Sequence, residues 1–127
     1  MYINYELVLL ILTSYIIGSV PFGLLVSMFL KNNDPRKMGS KNIGATNIAR
    51  ISGWKLGLTT LLLDISKAFF TVSFFSNFSI FYLELSMLFV FIGHLFPVWL
   101  KFNGGKGVAV LIGILMAYNL ILGIIFL

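Results

Sequence analysis

The residues able to do chemistry in this chain gather in two short basic segments. The first reads Asp34-Pro-Arg-Lys-Met-Gly-Ser-Lys-Asn-Ile-Gly-Ala-Thr-Asn-Ile-Ala-Arg50, with Gly39, Ser40, Asn42, Gly44, Ala45, Thr46 and Asn47 standing between Lys37 and Arg50. Glycines let backbone N–H groups approach an anion, hydroxyls and amides add donors, and Arg offers a fork matched to phosphate oxygens. The segment therefore has the composition of an anion site. The plainer alternative is a juxtamembrane loop whose cations face acidic lipid headgroups. Charge alone, however, does not call for Gly-Ala-Thr-Asn.

The second segment runs from Gly93-His94 through Pro97 to Gly104-Gly105-Lys106-Gly107, directly before a long apolar run. A helix starting there would aim unpaired N–H groups and its positive dipole end at whatever rests on the glycine turn, with Lys106 adding a full charge. A phosphate suits that position. A nucleotide-binding P-loop does not fit, because that motif needs Ser or Thr after its Lys and a further upstream Gly; Gly107 follows Lys106 and no Gly stands at the upstream position. His94 is the sole histidine and is expected to lie at the same membrane face as this turn, within reach of the anion. Such a residue is more often packed or capping than catalytic, but it can serve as a phosphate donor without a partner, or as a base if it titrates near neutrality. No set of metal ligands surrounds it, so no metal site and no cofactor are expected. With no Cys, thiolate chemistry is excluded.

Two further features lie inside apolar runs. Asp64 and Lys67 are three residues apart on one helical face, and an isolated ion at mid-bilayer costs at least about 2.5–3.5 kcal/mol, so the two are expected to form an intramembrane ion pair facing the bundle interior or a polar cavity, either as a structural tie between helices or near a substrate. Gly18-Ser19-Val20-Pro21-Phe22-Gly23 interrupts the first run, and reads as a kink and packing seam.

The elements that must position these groups are membrane helices. The chain is 59% hydrophobic and 10% charged with a mean hydropathy of +1.01, too apolar for a soluble globule and too aromatic for disorder. Apolar stretches over about 7–30, 56–75, 83–100 and 108–127 predict four crossings, each near the roughly 20 residues a bilayer requires. The fold expected is an all-α, polytopic membrane helix bundle forming a single transmembrane domain, 1–127, with loops at about 31–55 and 101–107. The first run is too long for a cleaved signal and has no basic residue before it. Six of the nine basic residues fall in Lys31–Lys55 and two more are Lys101 and Lys106, while Ser76–Tyr82 carries none. An even number of crossings separates the two basic loops, so the positive-inside rule places both in the cytoplasm and the N-terminus outside. The net charge of +5 thus belongs to membrane orientation, and nucleic acid is not an expected partner.

Taken together, Gly-Ser-Val-Pro-Phe-Gly, Asp-Pro-Arg-Lys-x-Gly-Ser-x-Asn-x-Gly-Ala-Thr-Asn, Leu-Asp-x-x-Lys, Gly-His-x-Phe-Pro and Gly-Gly-Lys-Gly-Val-Ala resemble, in order from about residue 18 to 110, the PlsY family of bacterial acyl-phosphate:glycerol-3-phosphate acyltransferases. The resemblance implies a multi-pass enzyme of the bacterial inner membrane, surrounded by membrane lipid. It would move a fatty acyl group from acyl phosphate to the 1-hydroxyl of glycerol 3-phosphate, giving lysophosphatidic acid and phosphate. By position, Ser40, Arg50 and Lys106 correspond to phosphate-binding residues, with Asn42, Thr46, Asn47, Gly104, Gly105 and Gly107 in the same motifs; His94 and Lys106 are the catalytic candidates. No acyl-enzyme is implied. An acyl phosphate carries its own leaving group, so catalysis can consist of placing two anions together and offsetting their repulsion.

The chain departs from the family pattern at Lys41 and Ala68, where Gly is usual, and at Val110, where Thr is frequent. Family members run to about seven crossings, roughly 200 residues at ~20 per crossing plus loops, and bear a third cytoplasmic motif with His, Asn and Glu that has no counterpart here. The competing expectations are an inactive fragment, or a module that binds phosphate or lipid anions without reacting them. Acyl preference and oligomeric state are not legible.

Overall fold

The structure, a computed structural model, describes residues 5–31 and 33–127, and within them every regular element is a helix. The helices are α1 (Tyr5–Ser19), α2 (Phe22–Lys31), α3 (Ala45–Ser52), α4 (Trp54–Phe75), α5 (Ile80–Leu95), α6 (Val108–Tyr118) and α7 (Leu120–Ile125), with a 3₁₀ turn at Val98–Leu100. The expected domain of 1–127 and loop of 31–55 include residues 1–4 and 32, which lie outside the described residues.

Three segments are long and apolar enough to cross a membrane: Tyr5–Lys31, Trp54–Phe75 and Ile80–Leu100. The first is α1 and α2 in succession. Pro21 has no N–H to donate and disfavours helical backbone at Val20, so the helix breaks between them. The fourth run, expected as one crossing over 108–127, divides at Asn119. The extended backbone there ends α6, and the Asn119 side chain accepts hydrogen bonds from the N–H groups of Ile121 and Leu122 at 3.0 and 3.3 Å, starting α7. Gly123 then packs on Met116, which brings α7 back against α6. At 1.5 Å per residue the 11 residues of α6 reach roughly 16 Å, about half the hydrocarbon thickness. Hydropathy averaged over the run did not register a single capping Asn.

A second difference falls within the 31–55 loop. It contains α3, a helix of eight residues that buries Asn47, Ile48 and Ser52 and packs along α4. Gly53, at φ 100°, lets the chain turn from α3 directly into α4.

Packing follows membrane rules, with small side chains inside and large ones outward. The most extensive pair, α1 with α5, meets along Leu10, Ser14 and Gly18 on one side and Ser86, Val90 and Gly93 on the other. Gly18 lies on the Val90 carbonyl and Gly93 on that of Tyr15. Helix α6 packs on α4 through Gly113, which rests on the Ile65 carbonyl. The innermost apolar cluster is Ala68, Val72, Val90, Val110 and Ile114. Phe29, Phe70, Phe74 and Ile121 face outward, where lipid would receive them.

Polar ties hold the motif segments to this frame. Ser27 and Ser52 share a buried hydroxyl hydrogen bond of 2.7 Å between α2 and α3. Trp99 donates from Nε1 to the Ser19 hydroxyl at 2.8 Å, and Tyr15 donates to the Phe96 carbonyl at 2.8 Å, fastening the second segment to α1.

Candidate active site

Both basic segments line one cavity of about 270 Å³, below the roughly 300–1,000 Å³ typical of drug-sized ligand sites and suited to a small polar molecule. From the first come Ser40, Asn42, Gly44, Ala45, Thr46, Asn47 and Arg50. The second supplies Lys106, Gly107, Val108 and Ala109, while Leu61, Asp64 and His94 complete the wall from α4 and α5.

The first segment is shaped around Asn47, which is 2% exposed. Its Nδ2 donates to the carbonyls of Asn42, Met38 and Pro35 at 2.8, 3.1 and 3.2 Å, and its Oδ1 accepts the Ser40 N–H at 2.9 Å. Asn42 in turn accepts the Gly44 N–H at 2.8 Å, an Asx turn that leads into α3. Gly39 passes so close to the Asn47 side-chain oxygen, at φ 60°, that a Cβ has no room. Asn47, expected among the phosphate-binding residues, thus spends its amide on the loop itself. Thr46 and Arg50, four residues apart on α3, share the face turned to the cavity.

Arg36 is engaged elsewhere. It grips Asp34 with two side-chain hydrogen bonds of 2.9 Å, and this grip holds the Asp34 carboxyl below its ordinary value. Arg50 and Lys106 have no ion-pair or side-chain hydrogen-bond partner among the described residues, and both are exposed. They are the free cations of the cavity. Helices α3 and α6 also both begin there, and first-turn amides of a helix lack intrahelical partners.

The glycines of the second segment divide by role. Gly107, in the left-handed region at φ 84°, lines the cavity and opens α6. The amides of Gly104 and Gly105, expected to cradle phosphate, donate instead to the carbonyls of Leu95 and His94 at 3.0 and 3.2 Å. They cap α5, and neither lines this cavity. Their requirement is steric, since a Cβ on Gly104 would strike the His94 carbonyl and one on Gly105 the His94 ring. The amides nearest the cavity are therefore those of Gly107, Val108 and Ala109, which follow the Gly-Gly pair.

Asp64 and Lys67 lie 2.7 Å apart, both nearly fully buried. Sequence spacing did not reveal what else converges on them. Lys67 Nζ lies 3.0 Å from His94 Nδ1 and 2.8 Å from the carbonyl of Val20, the residue before Pro21 at the α1–α2 break. The break, read as a packing seam, thus also supplies an acceptor to the ion pair. On its other side Lys67 reaches a larger apolar cavity of about 650 Å³ between α1 and α4, walled by Leu9, Leu10, Ile17, Phe70 and Phe74.

Three membrane-length helical segments carrying two basic segments that close on one anion-sized cavity define a polytopic helical membrane protein with a polar site at one end of its bundle. The profile of one protein family, Glycerol-3-phosphate acyltransferase, matches residues 8–127, and the chain belongs to that family. It is 46% identical over 121 residues to the glycerol-3-phosphate acyltransferase of Pelagibacter ubique (strain HTCC1062), which covers 95% of this chain and 63% of the relative. With that of Ehrlichia canis (strain Jake) it shares 51% identity over 109 residues, covering 84% and 56%. Among solved structures it superimposes on the integral membrane glycerol 3-phosphate acyltransferase PlsY in its glycerol 3-phosphate form with a TM-score of 0.86, at 35% identity over 93% of this chain and 60% of that one. For the lysophosphatidic acid form the TM-score is 0.84 at 31% identity. The chain spans between about half and two thirds of the length of these relatives.

Proposed function

We propose that this chain supports transfer of a fatty acyl group from acyl phosphate to the 1-hydroxyl of glycerol 3-phosphate, yielding lysophosphatidic acid and phosphate at the cytoplasmic face of the bacterial inner membrane. The observation that carries this reading is that Ser40 and Arg50 from the first segment and Lys106 from the second line one cavity with His94. Two phosphoryl groups brought together repel, and Arg50, Lys106 and the first-turn amides of α3 and α6 offset that repulsion. Holding the hydroxyl against the acyl carbon supplies the rest of the acceleration through orientation. A departing phosphate oxygen takes the hydroxyl proton. The apolar cavity that meets Lys67 from the opposite side matches the fatty chain of the donor in size and chemistry.

The test is transfer from acyl phosphate to labelled glycerol 3-phosphate by membranes containing this chain. Lys106→Ala removes a full charge from the cavity and is expected to lower turnover by at least ~100-fold, the scale of losing one transition-state donor, with membrane insertion unchanged. Normal turnover in that variant would remove Lys106 from the site. Phosphate binding without transfer by the unaltered chain would favour a binding module, and neither activity an inactive fragment.

A further inference from the structure

The buried contacts of Lys67 constrain the chemistry of His94. A lysine ammonium has three N–H donors and no acceptor. Its three neighbours here are Asp64 Oδ1 at 2.7 Å, the Val20 carbonyl at 2.8 Å and His94 Nδ1 at 3.0 Å. The Phe22 ring lies beneath it, 5.6 Å to the centroid. Two of those donors are hydrogen-bonded, to the Val20 carbonyl and His94 Nδ1, while Asp64 pairs with the ammonium as a counter-ion, provided that His94 Nδ1 carries a lone pair. A proton on Nδ1 would set donor against donor at 3.0 Å, and among the described residues the other acceptor recorded near that nitrogen, Asp64 Oδ1, is 3.8 Å away, too far for a hydrogen bond. The ring's remaining proton then sits on Nε2. That nitrogen lies against Gly105, has no hydrogen-bond partner among the described residues, and belongs to a ring that lines the polar cavity.

We propose that Lys67 is a positioning residue that locks His94 in its Nε2–H form, so that the ring presents a neutral hydrogen-bond donor to a phosphoryl oxygen in the cavity and does not act as a base. The device joins three parts of the sequence. The α1–α2 break exposes the Val20 carbonyl, the α4 pair supplies Asp64 and Lys67, and α5 brings the ring. Gly105 has no Cβ to cover Nε2. The part about the phosphoryl oxygen rests on the proposed function, whereas the tautomer does not.

Because His94 is the sole histidine, histidine labelled with ¹⁵N gives one imidazole spin system in the detergent-solubilised protein, and the spectrum requires no turnover. The expected result is an unprotonated Nδ1 and a protonated Nε2, with that preference lost in Lys67→Met. A protonated Nδ1, a doubly protonated ring, or a preference unchanged in a folded Lys67→Met overturns the lock. Should Lys67→Met fail to fold, the spectrum of the unaltered protein still decides. Where transfer is measurable, His94→Gln, whose amide N–H reaches near the Nε2 position, is expected to keep kcat within about 10-fold of the unaltered protein, the worth of one hydrogen bond. His94→Ala is expected to fall well below it. Equal inactivity of the two variants would overturn the donor role even if the tautomer were as expected, and absence of transfer altogether would count against the proposed function alone.

Discussion

At the scale of single residues, the cavity separates side chains that could meet a ligand from those that build the wall. Arg50 has the free fork and Lys106 the free point charge, while Asn47 and Arg36 are committed to the loop. Arg50→Lys keeps the charge and loses the planar fork, so under the proposed function it is expected to raise KM for glycerol 3-phosphate by about 10–100-fold, the 1.5–3 kcal/mol of a hydrogen bond to a charged group. Steady-state kinetics in membranes checks this, and an unchanged KM would assign Arg50 to lipid headgroups. Asn47→Ala should act differently. It leaves the Ser40 N–H and three carbonyls without their partner, costing of order 2–4 kcal/mol, so the segment should become open to limited proteolysis while α4 and α5 remain folded. Sequence composition marked all these residues as donors. It did not distinguish donors turned toward a ligand from donors turned inward, because that depends on the path of the backbone around each side chain.

At the scale of elements, backbone proximity decides how the helices seat. Gly113 on α6 sits on the Ile65 carbonyl of α4, and Gly18 and Gly93 form the corresponding seam of α1 with α5. Gly113→Val must force α6 away from α4. Overpacking costs typically about 1–3 kcal/mol, and because α6 opens at the cavity, the expected outcome is a lower Tm together with weakened phosphate binding. A variant with unaltered Tm would show that α6 is not held through this contact. Long apolar runs were legible because the bilayer selects length and hydrophobicity. Helix α3 and the division at Asn119 were not. Each depends on a short stretch whose local bias is weak: α3 is fixed by burying Asn47, Ile48 and Ser52 beside α4, and α7 by packing on α6.

At the scale of the whole molecule, both motif segments reach one cavity, so they lie at one end of the bundle, away from the Phe75–Ile80 connection. By the positive-inside rule, the proposed orientation turns that end toward the cytoplasm. The chain has no cysteine, which makes single introduced cysteines clean reporters. In intact cells an impermeant maleimide is expected to label Asn77→Cys, and to reach Lys37→Cys and Asn103→Cys only after lysis. The reverse pattern would invert the orientation. The sequence by itself determined that the protein is an all-α membrane bundle, which segments are basic and that Asp64 and Lys67 pair, since each follows from hydropathy, charge count or spacing along one helix. Only the tertiary structure decided that Gly104 and Gly105 cap α5, that Asn47 staples its own loop, and that the Val20 carbonyl at the α1–α2 break meets Lys67 beside His94. Those contacts join atoms up to 47 positions apart in the chain, and periodicity within one segment carries no record of which neighbour a folded backbone will bring.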